Sequence, residues 1–492
     1  MTLFLVPWLE LAIALTLLGS LIVSRLRDPN AAGSWGMFFT GAAFACTFLE
    51  WLGFYLDITS DPSALDRWSV QPWLFGQKSV FSLDGLSAPL VPAVALLHFL
   101  TAVATGRTRM RYFSFSWSLA SEAIRIALFS CKASWTLVGL LCLCTVPPYF
   151  ELRNRRRPTR VYVLHMLVFI GLMVIGWAAA PALSGPSPTA SAWATIPLLI
   201  AILVRSGTVP AHVWMTDWFE HASFGNALLF VAPLVGVYAA VRLVLPIAPD
   251  WVLHSIGFFS LLTAVYAAGM STIQRDTRRF FAQLFLSHAS LVLVGLELST
   301  ELSLTGSLCL WFSVILSLGG FGLTLRAIES RYGRLSLAEY HGLYNQSPTL
   351  AVCFLLTGLA SVGFPGTLGF ISAEILVDSA VEVNPYLGAL VVTAAALNGI
   401  SVMRAYFRLF TGKRHTSTVS LLIGPRERFA VLTLSALILG GGLFPQPGVY
   451  TRFVAAERIV AERQSRPRAE EPRNPGHVEP QPKSDRADHA GP

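Results

Sequence analysis

The chain has 492 residues, of which 54% are hydrophobic and 13% charged, with a mean hydropathy of +0.58. A soluble domain carries about a quarter charged residues, so this composition excludes an ordinary soluble enzyme and points to a polytopic membrane protein. The net charge of +8 comes from short basic runs between apolar segments and from the C-terminal tail. With little aromatic interleaving, those runs argue membrane topology and not nucleic-acid binding.

Apolar stretches of bilayer-spanning length predict an all-α chain of about fourteen transmembrane helices. They cover 3–24, 34–56, 84–104, 113–130, 134–150, 161–181, 191–206, 223–245, 252–273, 280–298, 305–327, 348–382 with a break, 386–410 and 427–445. The first is longer than a signal-peptide core and has no basic stretch before it, so it is expected to be retained. Loop charge alternates. Arg25/Arg27, the loop 107–111, Arg153 to Arg160, Arg275/Arg278/Arg279, Arg326/Arg331/Arg334 and the 413–428 loop fall on one side. Asp57/Asp61/Asp66, the 182–190 loop, Asp250, Glu297/Glu301 and Glu382 fall on the other. The positive-inside rule then puts the basic loops in the cytoplasm of a cell membrane and both termini outside. From about residue 456 the chain turns polar and proline-rich, the composition of a disordered tail.

Two proline interruptions stand out. Pro210 breaks the seventh span and Pro365-Gly366 the twelfth. They lie an odd number of spans apart, which predicts two five-helix units of inverted topology, and paired broken helices mark transport sites. The expected organisation is residues 1–105 as leading helices, 106–250 and 251–412 as the two units, 413–455 as a closing span and 456–492 as the tail.

Ionisable groups within spans are expensive and point to ion paths. Arg205 ends the run before the first break. Glu122 and Arg125 sit at i, i+3 in the fourth span, close enough on one helical face to pair; they read either as a self-satisfied lock or as a proton-accepting carboxylate beside a fixed cation. Glu374 follows the second break and suits proton exchange with water. His288, next to Ser287, has two exchangeable ring nitrogens and suits a relay, or serves as a satisfied core residue. Arg404 is expected to neutralise a carboxylate or to reach the cytoplasmic face. Asp217, Glu220 and His221 read as residues of the cytoplasmic mouth. The six cysteines lie in or beside apolar segments without metal-ligand spacing and read as packing residues. With no P-loop, dinucleotide glycine motif, Ser/His/Asp arrangement or haem motif, neither a cofactor nor a metal is expected.

Four motifs, in order along residues 80–410, carry a resemblance. They are Phe81-Ser-Leu-Asp84-Gly-Leu-Ser87; Arg205-Ser206 through Pro210, His212, Trp214 and Asp217; Gln274-x-Asp276-x-Arg278-Arg279 followed by Ser287-His288; and Phe364-Pro365-Gly366-Thr367-x-Gly369-Phe370 through Glu374. Together they resemble the antiporter-like membrane subunits of respiratory complex I and of Mrp-type cation/proton antiporters. The resemblance implies fourteen helices, two half-channels joined by a polar axis, and proton or cation/proton movement coupled to partner subunits. The chain departs from it at several positions. The family's fifth-span glutamate falls at Cys142, its seventh-span lysine is Arg205, and its eighth-span polar position is Phe230. The eleventh-span polar positions fall in the apolar Val314–Gly322 stretch. An arginine keeps its charge, so Arg205 is expected to set the field for neighbours, with Glu122 as partner.

Three readings follow. The first is a proton-conducting subunit, lying in the bilayer with other membrane subunits and a peripheral soluble partner, and moving protons or monovalent cations; Glu122, Arg205, His288 and Glu374 would form its path, and Arg125, Asp217 and Arg404 would support it. The second is the membrane half of an inorganic-carbon accumulation system. The third is an assembly subunit that has lost conductance.

Overall fold

The computed structural model describes residues 6–59, 80–106, 110, 113–180, 188–298, 300–412 and 423–465. Among them every named element is helical. Residues 107–109, 111–112, 181–187 and 413–422, with Asp61, Asp66 and the chain after residue 465, lie outside the described residues.

The leading helices are α1 (Trp8–Arg25), α2 (Pro29–Thr59) and α3 (Leu90–Val103). α4 (Phe115–Ser130) follows, then the pair α5 (Ser134–Leu143) and α6 (Val146–Asn154), and α7 (Arg160–Ala179). α8 (Pro188–Ser206) and α9 (Val213–His221) form the first broken segment. α10 (Phe224–Val231) and α11 (Val235–Ala239) lead into a π-helical turn, Ala240–Val244. Then come α12 (Asp250–Ile273), α13 (Thr277–Glu297) and α14 (Glu301–Tyr332). The second broken segment is α15 (Pro348–Val362) and α16 (Leu368–Val383), followed by α17 (Pro385–Phe410), α18 (Pro425–Leu443) and α19 (Gln446–Gln464).

Burial sorts these helices into an inner and an outer set. In the 224–244 segment, α13 and α14, 94% of the spanning window is buried, whereas α1, α7 and α17 bury only 28–33%. A helix hydrophobic all round must lie inside the bundle, and one apolar on its outward face meets lipid. α14 is the central pillar, packed by α3, α10, α13, α15, α16, α18 and α19. Its start is fixed by a capping box, in which Thr300 and Ser303 each satisfy the other's backbone N–H.

Among the described residues, nine helices are long and apolar enough to cross a bilayer, ten if α18 and α19 are one bent span. Hydropathy predicts fourteen. The difference comes from interruptions and from short elements such as α3, which has 14 residues. The 223–245 stretch, expected to be continuous, is broken at Pro233-Leu234, where Leu234 adopts a left-handed φ of 51°. Trp311 Nε1 donates to the freed Pro233 carbonyl at 3.2 Å.

The C-terminal expectation needs correction. Residues 456–464 belong to α19, which turns 78° from α18. Ala455, Ala456 and Val460 are buried on one side of it. Arg452 donates to the carbonyls of Leu86 (3.1 Å) and Gly85 (2.7 Å), and Arg463 donates to Leu245 O and Asp250 (both 2.6 Å). Periodic alanine and valine burial, with two arginines capping loop carbonyls, folds a stretch whose overall polarity hid its helical face.

Candidate functional site

The first break is closed by protein groups. α8 stops at Ser206 because Gly207 turns left-handed, with φ +74°, and Pro210 follows. The carbonyls this releases are not free. Leu203 O accepts from the Thr208 backbone N–H (3.0 Å) and Oγ1 (2.9 Å), and Val204 O accepts from Trp214 Nε1 (2.8 Å). Val209 N–H donates to Thr263 Oγ1 at 2.9 Å. α11 crosses this turn so closely that a β-carbon at Gly236 would overlap the Ser206 hydroxyl.

Arg205 is 3% exposed. Its guanidinium carbon lies 4.5 Å from the centre of Phe230 and 5.7 Å from that of Trp214. Nε and Nη2 are buried without a hydrogen-bond partner. Two desolvated cation–π contacts contribute about 2 kcal/mol each, against a penalty of several kcal/mol for burying an ion. The family's polar position at Phe230 is thus taken by the ring that seats the cation. Tyr162 and the buried Cys144 thiol lie within electrostatic reach of it. Cys144, not the half-buried Cys142, faces the arginines.

Glu122 is 0% exposed, and neither carboxylate oxygen has a hydrogen-bond partner. The expected pairing with Arg125 does not form, nor does one with Arg205. Arg125 turns instead to His98, donating from Nη1 to Nε2 at 2.9 Å. His98 must then be the neutral tautomer, since its Nδ1–H donates to Val94 O at 2.9 Å. Arg125 remains in Glu122's electrostatic field without touching it. An unpaired buried carboxylate is costly, so its oxygens call for a water or a proton.

The second group is neutral. Ser287 donates to Ala264 O (2.8 Å) and accepts from Asn398 Nδ2 (2.8 Å); Ser271 and Ser401 share a 2.6 Å hydrogen bond. His288 Nδ1–H donates to Leu284 O at 2.8 Å. Oxygens of Asn398, Gln283 and Ser290 are buried without partners. Beside Arg205 lies a cavity of about 10 Å³, lined also by Ser206 and by Ala289, the residue after His288, among apolar side chains. That is at the lower limit for one water.

The remaining expected residues lie apart. Glu374 is exposed on α16, in line with the exposed Asp378 and Glu382. Asp217 pairs with His221 Nδ1 at 3.2 Å, within α9. Arg404 caps the end of α12, donating to the Thr272 and Gln274 carbonyls rather than to a carboxylate. Two contributors escaped the sequence reading. His98 has no other ionisable residue in α3 to signal it. Arg242, in the π turn, binds both oxygens of the motif residue Asp84, at 2.7 and 2.6 Å.

Residues 164–398 match the family described as NADH:quinone oxidoreductase/Mrp antiporter, TM. NADH-quinone oxidoreductase subunit 13 of Thermus thermophilus is 28% identical over 396 residues, spanning 76% of this chain and 83% of that protein. A chain of respiratory complex I from Thermus thermophilus with bound NADH shares the fold, with a TM-score of 0.79 at 22% identity over 92% of this chain and 99% of that one. So does a chain of the Mrp complex from Dietzia sp., with a TM-score of 0.74 at 18% identity over 92% and 98%.

Proposed function

Since the chain belongs to the antiporter-like membrane-subunit family of NADH:quinone oxidoreductases and Mrp antiporters, we propose that it moves protons across the membrane as one subunit of a larger complex. The observation that supports this best is the buried trio of Glu122, Arg125 and Arg205, which contains no ion pair. An assembly subunit would gain stability by replacing such groups with apolar ones. Glu122 is the proton-carrying group. Arg125, aimed by His98, and Arg205, seated on Phe230, set the field around it. Ser287, His288 and Asn398 provide neutral relays, and Glu374 exchanges protons with water or a neighbouring subunit. The basic loops face the cytoplasm and both termini lie outside. Other membrane subunits and a peripheral soluble subunit complete the assembly; if the co-purifying partner is a zinc protein that hydrates CO2, the same flux serves inorganic-carbon accumulation.

The test is proton flux through the complex, isolated by a tag on this chain and reconstituted in vesicles. Glu122→Gln is expected to lower flux by about a hundredfold, the usual weight of a positioned proton-transfer group. Parental flux from an intact Glu122→Gln complex would contradict conduction and favour the assembly role.

A further inference from the structure

Glu151 belongs to none of the groups above, although it is only 4% exposed at the end of α6. Asn226 Nδ2 donates to its Oε2 at 2.8 Å and the Ser223 backbone N–H to its Oε1 at 3.2 Å; Arg155 stands 3.9 Å from Oε1. One space opens on this carboxylate, and a second lies beyond two of the groups around it. Inward, a cavity of about 20 Å³ is bounded by Glu151, Asn226, Ser118, Ser121, Arg125 and Phe230. A buried water needs about 10–15 Å³ and two to four polar partners, so this space suits one water. Outward, a cleft of about 190 Å³ at the basic rim is bounded by Arg155 and Ser223, both of which contact Glu151, and by Arg278, Arg326 and Glu329. Ser118, Ser121, Glu122 and Arg125 recur at three- and four-residue steps along α4 and so share one face. Glu122 does not itself line the cavity, but on α4 it lies next to Ser121 and three residues before Arg125, which do.

We propose that Glu151 is the carboxylate through which protons pass between the basic rim and Glu122. The proposal rests on the conducting role argued above. A hydronium formed in the outer cleft delivers a proton past Ser223 and Arg155 to Glu151 and is left as water; Glu151 passes its proton to the cavity water, and the hydronium so formed passes one on toward Glu122 and returns to water. Each transfer breaks one O–H bond and forms another, and net charge moves with the proton. The positive charges of Arg155 and Arg125 flank the route at its two ends. The competing account is architectural: Glu151 only clamps the start of α10 through Ser223 and Asn226.

Glu151→Gln separates the two. The glutamine oxygen still accepts from Ser223, and its amide still bonds Asn226 once that side chain turns over, so the clamp persists while the titrating group is gone. Ser118→Val fills the cavity without touching Glu151. In the reconstituted complex both variants are expected to lose about a hundredfold in proton flux with unchanged subunit composition, and Glu151→Asp is expected to restore part of it. The comparison variant is Glu122→Gln. Blocked flux in Glu122→Gln beside parental flux in Glu151→Gln and Ser118→Val overturns the entry route and leaves conduction standing. Parental flux in Glu122→Gln overturns conduction itself. If Glu151→Gln fails to assemble, Ser118→Val decides alone.

Discussion

Arg205 stands one residue before the end of α8 and is buried at 3% exposure, whereas Glu374, in α16 beyond the second break, is exposed. The surroundings differ in kind. Around the first break, Trp214 and Thr208 satisfy the freed carbonyls and Phe230 seats the cation. At the second, Phe364, Pro365 and Gly366 are exposed, as Pro210 is at the first, but the ionisable residue beside the break, Glu374, is exposed too. The polar groups follow the same division. Glu122, Arg125 and Arg205 are buried ionisable residues, two of them arginines, while on α13 and α17 Asn398 donates to Ser287 and the neighbouring His288 bonds the backbone of Leu284. A similar interruption therefore serves two purposes. The closed one fixes charge in a dry interior, where electrostatics are strong; the open one exposes a carboxylate to whatever lies outside the chain.

Substitutions sharpen this contrast when ranked by expected effect. Arg205→Met removes the buried cation at nearly constant volume. Flux should fall on the order of a hundredfold, as for loss of one preorganised electrostatic partner. Thermal stability should hold or rise, because an unpaired buried charge is replaced by an apolar side chain; a fall in both would make Arg205 a structural residue. His98→Ala leaves a buried guanidinium N–H without its acceptor, which costs about 1–3 kcal/mol, read as a lower melting temperature of the isolated complex. Ser287→Ala removes a neutral hydrogen bond worth about 1 kcal/mol and should slow flux only severalfold, because water can replace a hydroxyl relay. A loss as large as that of Arg205→Met would erase the distinction between charged and neutral groups. Glu374→Gln should change stability by no more than about 0.5 kcal/mol, as expected of an exposed position, measured on this chain freed of its partners.

The features visible in the sequence are those that local pattern encodes. Pro210 and Pro365-Gly366 announced both breaks, and a run of apolar residues ending in Arg205 announced a buried cation. Side-chain partnership was not visible, since it joins residues far apart in the chain. Glu122 and Arg125 sit at pairing distance along α4, yet Arg125 bonds His98, 27 residues away on α3. Glu151 falls just beyond the 134–150 apolar stretch and before a run of arginines; its partners, Asn226 and Ser223, lie more than 70 residues later. Helix rotation was equally hidden. Glu374 follows a broken helix just as Arg205 precedes one, and only the packing of α16 on α14, α17 and α18 turns it outward.

The central claim is that Glu122, buried and unpaired near Arg125, which does not bond it, gains and loses a proton during turnover. Infrared difference spectroscopy of the reconstituted complex, with and without a proton-motive force, observes that event directly. The expected result is a protonated-carboxyl stretching band that shifts in deuterated water and disappears in Glu122→Gln. A band that persists unchanged in Glu122→Gln, or a difference spectrum without any carboxyl signal while flux continues, would contradict the account.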